Sequence, residues 1–352
     1  MAYTTINKGS SYFNTVLYTG TGSAISVTGV GFKPDWVWQK ARSVAYEHNL
    51  YDIVRGTATL VSNLTNAENP NGASDFSTYN ADGFTLNQSA NYELSNNGTT
   101  YVTWNWLGAN TTVSNTSGTI TSTVSANTTS GFSIVSYTGN GSSSATVGHG
   151  LGVAPKMIIL KRRNASDAWY VMHKSLTSNN NVFLNLTDAQ QNVSTYTAGL
   201  ISTSPTSSVF SFVNGSTVNN VNASGGTYIA YCFTDIKGYS KFGSYTGNGN
   251  ADGPFIYTGF RPSFIMYKNS SNTGSWGMLD TVRSPYNPSF PLINANSANA
   301  EAAVTTFIDA LSNGFKYRTS GSDFNATGNT YIYMAFAENP FVTSGGIPVT
   351  AR

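Results

Sequence analysis

Charge is scarce in this chain. Only 10% of its 352 residues are Asp, Glu, Lys or Arg, against about 25% in an ordinary globular domain. Net charge is +2, and no basic run exceeds Lys161-Arg162-Arg163. A nucleic-acid binder needs a basic patch or tail to neutralise phosphates, so nucleic acid is not an expected partner. We read the basic trio as a solvated strand end. Cysteine is nearly absent: Cys232 stands alone, which excludes an intramolecular disulfide framework. It lies in an alternating strand and reads as a buried small hydrophobe. No segment approaches the ~18 apolar residues of a membrane-spanning helix, so membrane insertion is not expected. Met1–Lys8 has no apolar core of the secretory type.

Catalytic constellations are equally thin. The three histidines, His48, His149 and His173, have no i,i+4 metal-ligand spacing, and a single cysteine cannot complete a thiolate zinc site. No Gly-x-Ser-x-Gly stands in a strand-to-helix setting. Asp and Glu total 16, several of them in turns such as Asp82-Gly83 and Asp252-Gly253. A carboxylate pair for glycoside cleavage depends on the fold and stays open. The expectation is a protein with no enzymatic activity, no catalytic residues, no metal and no cofactor.

Ser, Thr, Asn and Gly replace the missing charge, with 13% aromatics. That mix suits β-structure with uncharged polar faces and many turns. The dominant feature is repetition. Tyr18-Thr19-Gly20-Thr21-Gly22, Tyr137-Thr138-Gly139-Asn140-Gly141 and Tyr245-Thr246-Gly247-Asn248-Gly249 are one phrase. A proline follows each tyrosine after 16–18 residues (Pro34, Pro155, Pro262), a lysine six residues later (Lys40, Lys161, Lys268), and Asp52, His173 or Asp280 twelve beyond that. Each copy closes on an aromatic strand: Tyr101–Trp106, Tyr228–Phe233 and Tyr331–Phe336. A period of whole-domain length means one small domain duplicated twice.

The boundaries read as an N-terminal arm over 1–13, copy one over 14–109, and a Ser/Thr-rich linker over 110–130. Copy two covers 131–235, copy three 236–340, and a tail 341–352. The linker alternates β-branched residues at Thr119–Thr121 and Thr123-Val124, which suits an edge strand. Six to eight short strands per copy, without crossover helices, predict an all-β chain: three tandem antiparallel β-sandwich, jelly-roll-like domains. Asn299–Val304 suits a helical turn or, with Glu68 in copy one, a shared loop. Trp38, Trp104, Ile158, Tyr231, Phe264 and Phe336 are the expected core.

The glycine phrase predicts a tight turn ending a strand; a phosphate cradle would need a following helix. The proline opens a core strand, and the lysine reads as that strand leaving the core. Asp52–Arg55 and Asp280–Arg283 suit local pairs or backbone staples. Copy two has His173 and Leu176 there, which argues against a ligand role common to all copies.

Phe132–Gly141, Val147–Ile159, Lys241–Gly249, Ser43–Arg55, Tyr101–Trp106 and Met334–Phe341 carry a resemblance. The chain resembles repeated-domain virion proteins of marine tailed bacteriophages, over nearly its whole length. The resemblance implies a structural protein of the virion, on a tail appendage or fibre or decorating the head, with a role in host attachment. It implies assembly in the bacterial host cytoplasm and carries no catalytic residues. Expected partners are other virion proteins, met through the arms Met1–Phe13 and Phe341–Arg352 in a large assembly, and a host surface glycan. The alternatives are a carbohydrate-binding adhesion module, whose mark is a rim of exposed aromatics, and a glycan-degrading enzyme. Three copies in one chain also predict a pseudo-threefold body.

Overall fold

The computed structural model describes residues 3–70, 75–87, 94–194, 196, 199–213, 219–288, 291–303 and 307–348. It is almost entirely antiparallel β-structure. In each copy eight strands divide five and three. The larger sheet of copy one runs in the order Phe13–Thr19, Thr100–Trp106, Trp36–Ala41, Asn49–Asp52, Leu60–Val61. The same order recurs in copy three with Ser240–Thr246, Thr330–Pro340, Phe260–Asn269, Gly277–Asp280 and Ile293–Asn294. Copy two repeats it with Phe132–Thr138, Thr227–Phe233, Met157–Arg162, Trp169–His173 and Val182–Phe183. The alternating linker residues do pair: Ser122–Asn127 and then Val113–Asn115 extend this sheet to seven strands.

The five-stranded sheets are buried on both faces, and alternation assigns the faces. Val37 and Tyr51 of copy one pack on the copy's own three-stranded sheet with Phe76 and Phe84. Trp36, Trp38, Trp104 and Trp106 point the other way. They join Met157, Ile159, Tyr231 and Phe233 of copy two and Phe264, Met266, Met334 and Phe336 of copy three in one cluster. All six expected core residues are buried. Only Ile158 fills its own copy's sandwich; the other five lie in the shared cluster. Each copy thus has a core of its own between its two sheets, and the other face of its large sheet is buried in the cluster shared by all three.

The N-terminal arm, expected to reach other virion proteins, packs into the core of its own chain. Ile6 is buried in the shared cluster, and Phe13 stacks on Phe336 with ring centroids 5.0 Å apart. Tyr3 Oη donates to Gly259 O, and Asn7 bonds Ser344 through both its side-chain groups. The described parts of arm and tail thus lie side by side on copy three. Residues 299–303 are not helical: Ala302 bridges Leu292 as Asn69 bridges Thr59, which is the shared loop. Val304 lies outside the described residues. The described helices, Asn219–Asn222 and Ser322–Asn325, are short, and among the described residues none is long and apolar enough to cross a membrane.

Candidate functional site: the joints between copies and an outward groove

The glycine phrase builds a turn against the segment preceding each closing strand. Gly22, Gly141 and Gly249 have φ of 75°, 72° and 66°, a region where glycine costs least. Their N–H groups donate to Ser95 O, Asn222 O and Asn325 O. A Cβ on Gly20, Gly139 or Gly247 would lie 2.2–2.3 Å from a backbone oxygen. Each tyrosine stacks on the tyrosine opening the closing strand, at 4.7, 4.8 and 4.9 Å for Tyr18–Tyr101, Tyr137–Tyr228 and Tyr245–Tyr331. The phrase is a structural lock, repeated down to its hydroxyl contacts with Leu94 O, Val221 O and Phe324 O.

The three lysines do not leave the core. Alternation places Lys40 on the face of Trp36 and Trp38, and Lys161 and Lys268 likewise; all three are fully buried. Lys161 Nζ donates to Thr65 O of copy one, and to Arg162 O and Asp167 O. Lys268 Nζ donates to Thr187 O of copy two and to Asn269 O; Lys40 Nζ donates to Ala41 O. Burial lowers all three to about 8. A second contact accompanies each. Trp169 Nε1 donates to Val61 O, Trp276 Nε1 to Phe183 O, and His48 Nε2 lies 3.1 Å from Asn294 O. His48 Nδ1 accepts from Trp38 Nε1, so the ring proton is on Nε2 and the same donor role is filled. Burial, helped by Lys40, holds this imidazole well below its ordinary value.

Salt bridges complete two of the three joints. Glu68 of copy one takes Arg163 of copy two through both carboxylate oxygens, at 2.9 and 2.8 Å. Glu301 of copy three takes Arg42 of copy one in the same way, at 2.9 and 2.9 Å. Burial opposes ionisation of both carboxylates, but the arginines outweigh it and lower their pKa values. At the third joint the matching backbone bond, Gln190 N–H to Ser270 O, joins neutral residues. Lys161-Arg162-Arg163 is thus only in part a solvated strand end: its first and last members belong to a joint.

Asp52 and Asp280 form the predicted local pairs, each 2.5 Å from Arg55 or Arg283 Nε. Each also accepts from the neighbouring copy: Tyr231 Oη donates to Asp52, and Trp104 Nε1 to Asp280. The matching position facing copy two is Met334, which has no donor. There the Asp–Arg–Glu set becomes His173, Leu176 and Gln190. His173 Nε2 lies 3.2 Å from Tyr333 O, while Nδ1 accepts the Ser175 N–H. Burial lowers its pKa to about 4. The charges have been removed together with the group they would have bonded. His149, held by Thr206 O and the Leu151 N–H, is also a buried, depressed imidazole.

Each of the three histidines is engaged by backbone. Among the described residues no group of three or more His, Cys, Asp or Glu could hold a metal ion. Cys232 is buried, and burial pushes its thiol pKa up.

The outward surface is less uniform. A groove of about 490 Å³ on copy three is lined by Tyr3, Asp235, Lys237, Lys241, Tyr257 and Thr258, among others. The chain belongs to the DUF7483 family, a domain of unknown function whose model matches residues 8–340. That span takes in all three copies. No curated protein and no solved structure matches the chain. Sequence reasoning missed the joints because the acceptors that define them, Thr65 O, Thr187 O, Val61 O, Phe183 O and Asn294 O, each come from another copy. One signal was available: His48, Trp169 and Trp276 each stand eight residues after their lysine.

Proposed function

We propose that the chain is a structural protein of a bacteriophage virion, a surface accessory component on a tail appendage, a fibre or the head, contributing to host attachment. The observation that carries this reading is where the repeated polar residues go. Lys161, Lys268, the Asp–Arg pairs and the bidentate glutamates all bond across the joints that close three copies into one body. A body built this way presents stable surfaces, and none of its repeated motifs forms a cleft for chemistry, so no catalytic role is proposed. The sequence resemblance to phage virion proteins supplies the setting, with assembly in the host cytoplasm. The adjoining arm and tail on copy three offer one attachment face toward other virion proteins. The test is mass spectrometry of density-purified particles from infected cells, with gold-labelled antibody against this chain. Stoichiometric recovery and surface labelling are expected. Recovery only in the soluble lysate would overturn the proposal.

A second reading, a carbohydrate-binding adhesion module, is favoured by one observation. Phe255 and Tyr257 are exposed aromatics beside the groove.

A further inference from the structure

The strand Phe255–Tyr257 shows where copy three departs from the others. Ile256 pairs with Phe315 as Val27 pairs with Phe84 and Val147 with Phe210. The flanking outward positions are then Ser26 and Thr28 in copy one, and Thr146 and Gly148 in copy two. In copy two the linker pairs along this strand's edge, with Ile120 bridging Val147 and Ser122 Oγ donating to Gly148 O, and its Asn115 side chain covers the face at Gly148. In copy one it is exposed and carries small hydroxyl residues. In copy three it is exposed and aromatic: Phe255 is 46% and Tyr257 56% accessible. Leaving two large rings in water forgoes burial energy that serine and threonine would not forfeit.

Polar groups converge beside those rings. A Cβ at Gly259 would stand 2.9 Å from Tyr3 Oη and 3.5 Å from Tyr257 Oη, so both hydroxyls close over this glycine. Burial and the neighbouring Tyr257 raise the Tyr3 pKa to about 12; its proton is donated to Gly259 O, so the phenol oxygen meets a ligand as an acceptor. Lys237 Nζ lies 4.5 Å above the Tyr3 ring. It has no carboxylate partner among the described residues, whereas Lys241 and Lys174 share Asp235 at 3.7 and 3.0 Å. Aromatic faces stack on the C–H face of a sugar ring, hydroxyls bond its alcohols, and an unpaired ammonium calls for an anion.

We propose that this groove on copy three binds a carboxylate-bearing saccharide, stacked on Tyr257 with its carboxylate at Lys237. The proposal rests on the host-attachment part of the function above and gives it a site and a ligand class. It is read on the isolated protein, so its failure is separate from failure to find the chain on particles.

The experiment titrates the full chain with tetragalacturonate and tetramannuronate, using cellotetraose as the neutral partner, by calorimetry and saturation-transfer NMR. Binding of at least one acidic probe is expected, with a dissociation constant on the order of 1 mM or tighter that weakens as ionic strength rises. Tyr257→Ala should weaken it about tenfold or more. Lys237→Gln should remove the preference over cellotetraose. Tyr286→Ala, at an exposed aromatic outside the groove lining, should change nothing. Thermal midpoints of the variants should match the parent, because all three positions are exposed. No binding of either acidic probe up to about 10 mM, equal binding of cellotetraose, or an unchanged constant in Tyr257→Ala would each overturn the proposal.

Discussion

His173 shows how a single position responds to what faces it. Asp52 and Asp280 are useful because the next copy offers an O–H or N–H donor; copy two faces Met334 and uses a neutral imidazole against a backbone carbonyl. The imidazole is neutral in the fold, with its pKa at about 4, against about 6.5 in an unfolded chain. Between those values the unfolded state binds more protons, so stability is full above about pH 6.5 and falls as the pH drops towards 4. The loss amounts to about 3 kcal/mol when complete. In urea titrations across this range, His173→Gln should flatten the acid limb, though not abolish it, because His48 and His149 are depressed in the same direction. An unchanged acid limb in that variant would show that His173 is not neutral in the fold. At this scale the sequence was only half legible. The Asp–Arg pairing could be read from a spacing of three. The burial of Lys40, Lys161 and Lys268 could not, because a lysine at a strand end reads as solvated unless its carbonyl acceptors, here Thr65 and Thr187, are known to be close.

The elements were easier to read than their faces. Glycine turns and aromatic closing strands mark the large sheets, Pro34 and Pro155 stand just before their strands while Pro262 falls at a bulge inside Phe260–Asn269 rather than at its start, and the linker's β-branched alternation marks its added strand. Which face meets another copy was not legible. In Trp36-Val37-Trp38 or Met157-Ile158-Ile159 both faces are apolar, and the period-two signal that separates core from solvent disappears. The arm was misread because its contribution is concentrated in Ile6 and Phe13. Ile6→Ala should therefore cost about 2–5 kcal/mol, as buried large-to-small changes do, measured by chemical denaturation. An arm acting only as an external tether would show no loss. The covering of copy two by its linker has a counterpart in Asp35, whose buried carboxylate accepts from Gly108 N, Asn110 N and Ser125 Oγ. Burial raises its pKa against those bonds. Asp35→Ala should leave those three donors short of an acceptor and destabilise by about 1–3 kcal/mol, again read from the denaturation midpoint.

For the whole molecule, the shared cluster makes the three copies one thermodynamic unit. Multi-domain chains commonly unfold in steps. Here a copy that leaves exposes its own inner face and those of both neighbours, including Trp36, Trp104, Tyr231 and Phe264. Calorimetry of the full chain should show one transition with matching calorimetric and van't Hoff enthalpies, and excised residues 131–235 should bind a hydrophobic dye rather than fold. Three resolved transitions, or a folded isolated copy, would contradict a common core. The joints differ in one further respect. Copy one is joined to copy two by the linker over 110–130, and copy two runs directly into copy three, so those pairings are between neighbours in the chain. The pairing of copy three with copy one, through Glu301 and Arg42, closes the body with no peptide link between the two partners. That seam is where a loosened chain has a choice. Its third copy can return to its own first copy, or accept the first copy of another chain and leave an equal vacancy for the next. The clamp between Arg42 and Glu301 forms equally well in either arrangement, so the tether through copy two, which raises the effective concentration of the two partners, is what favours a self-contained ring over head-to-tail polymerisation.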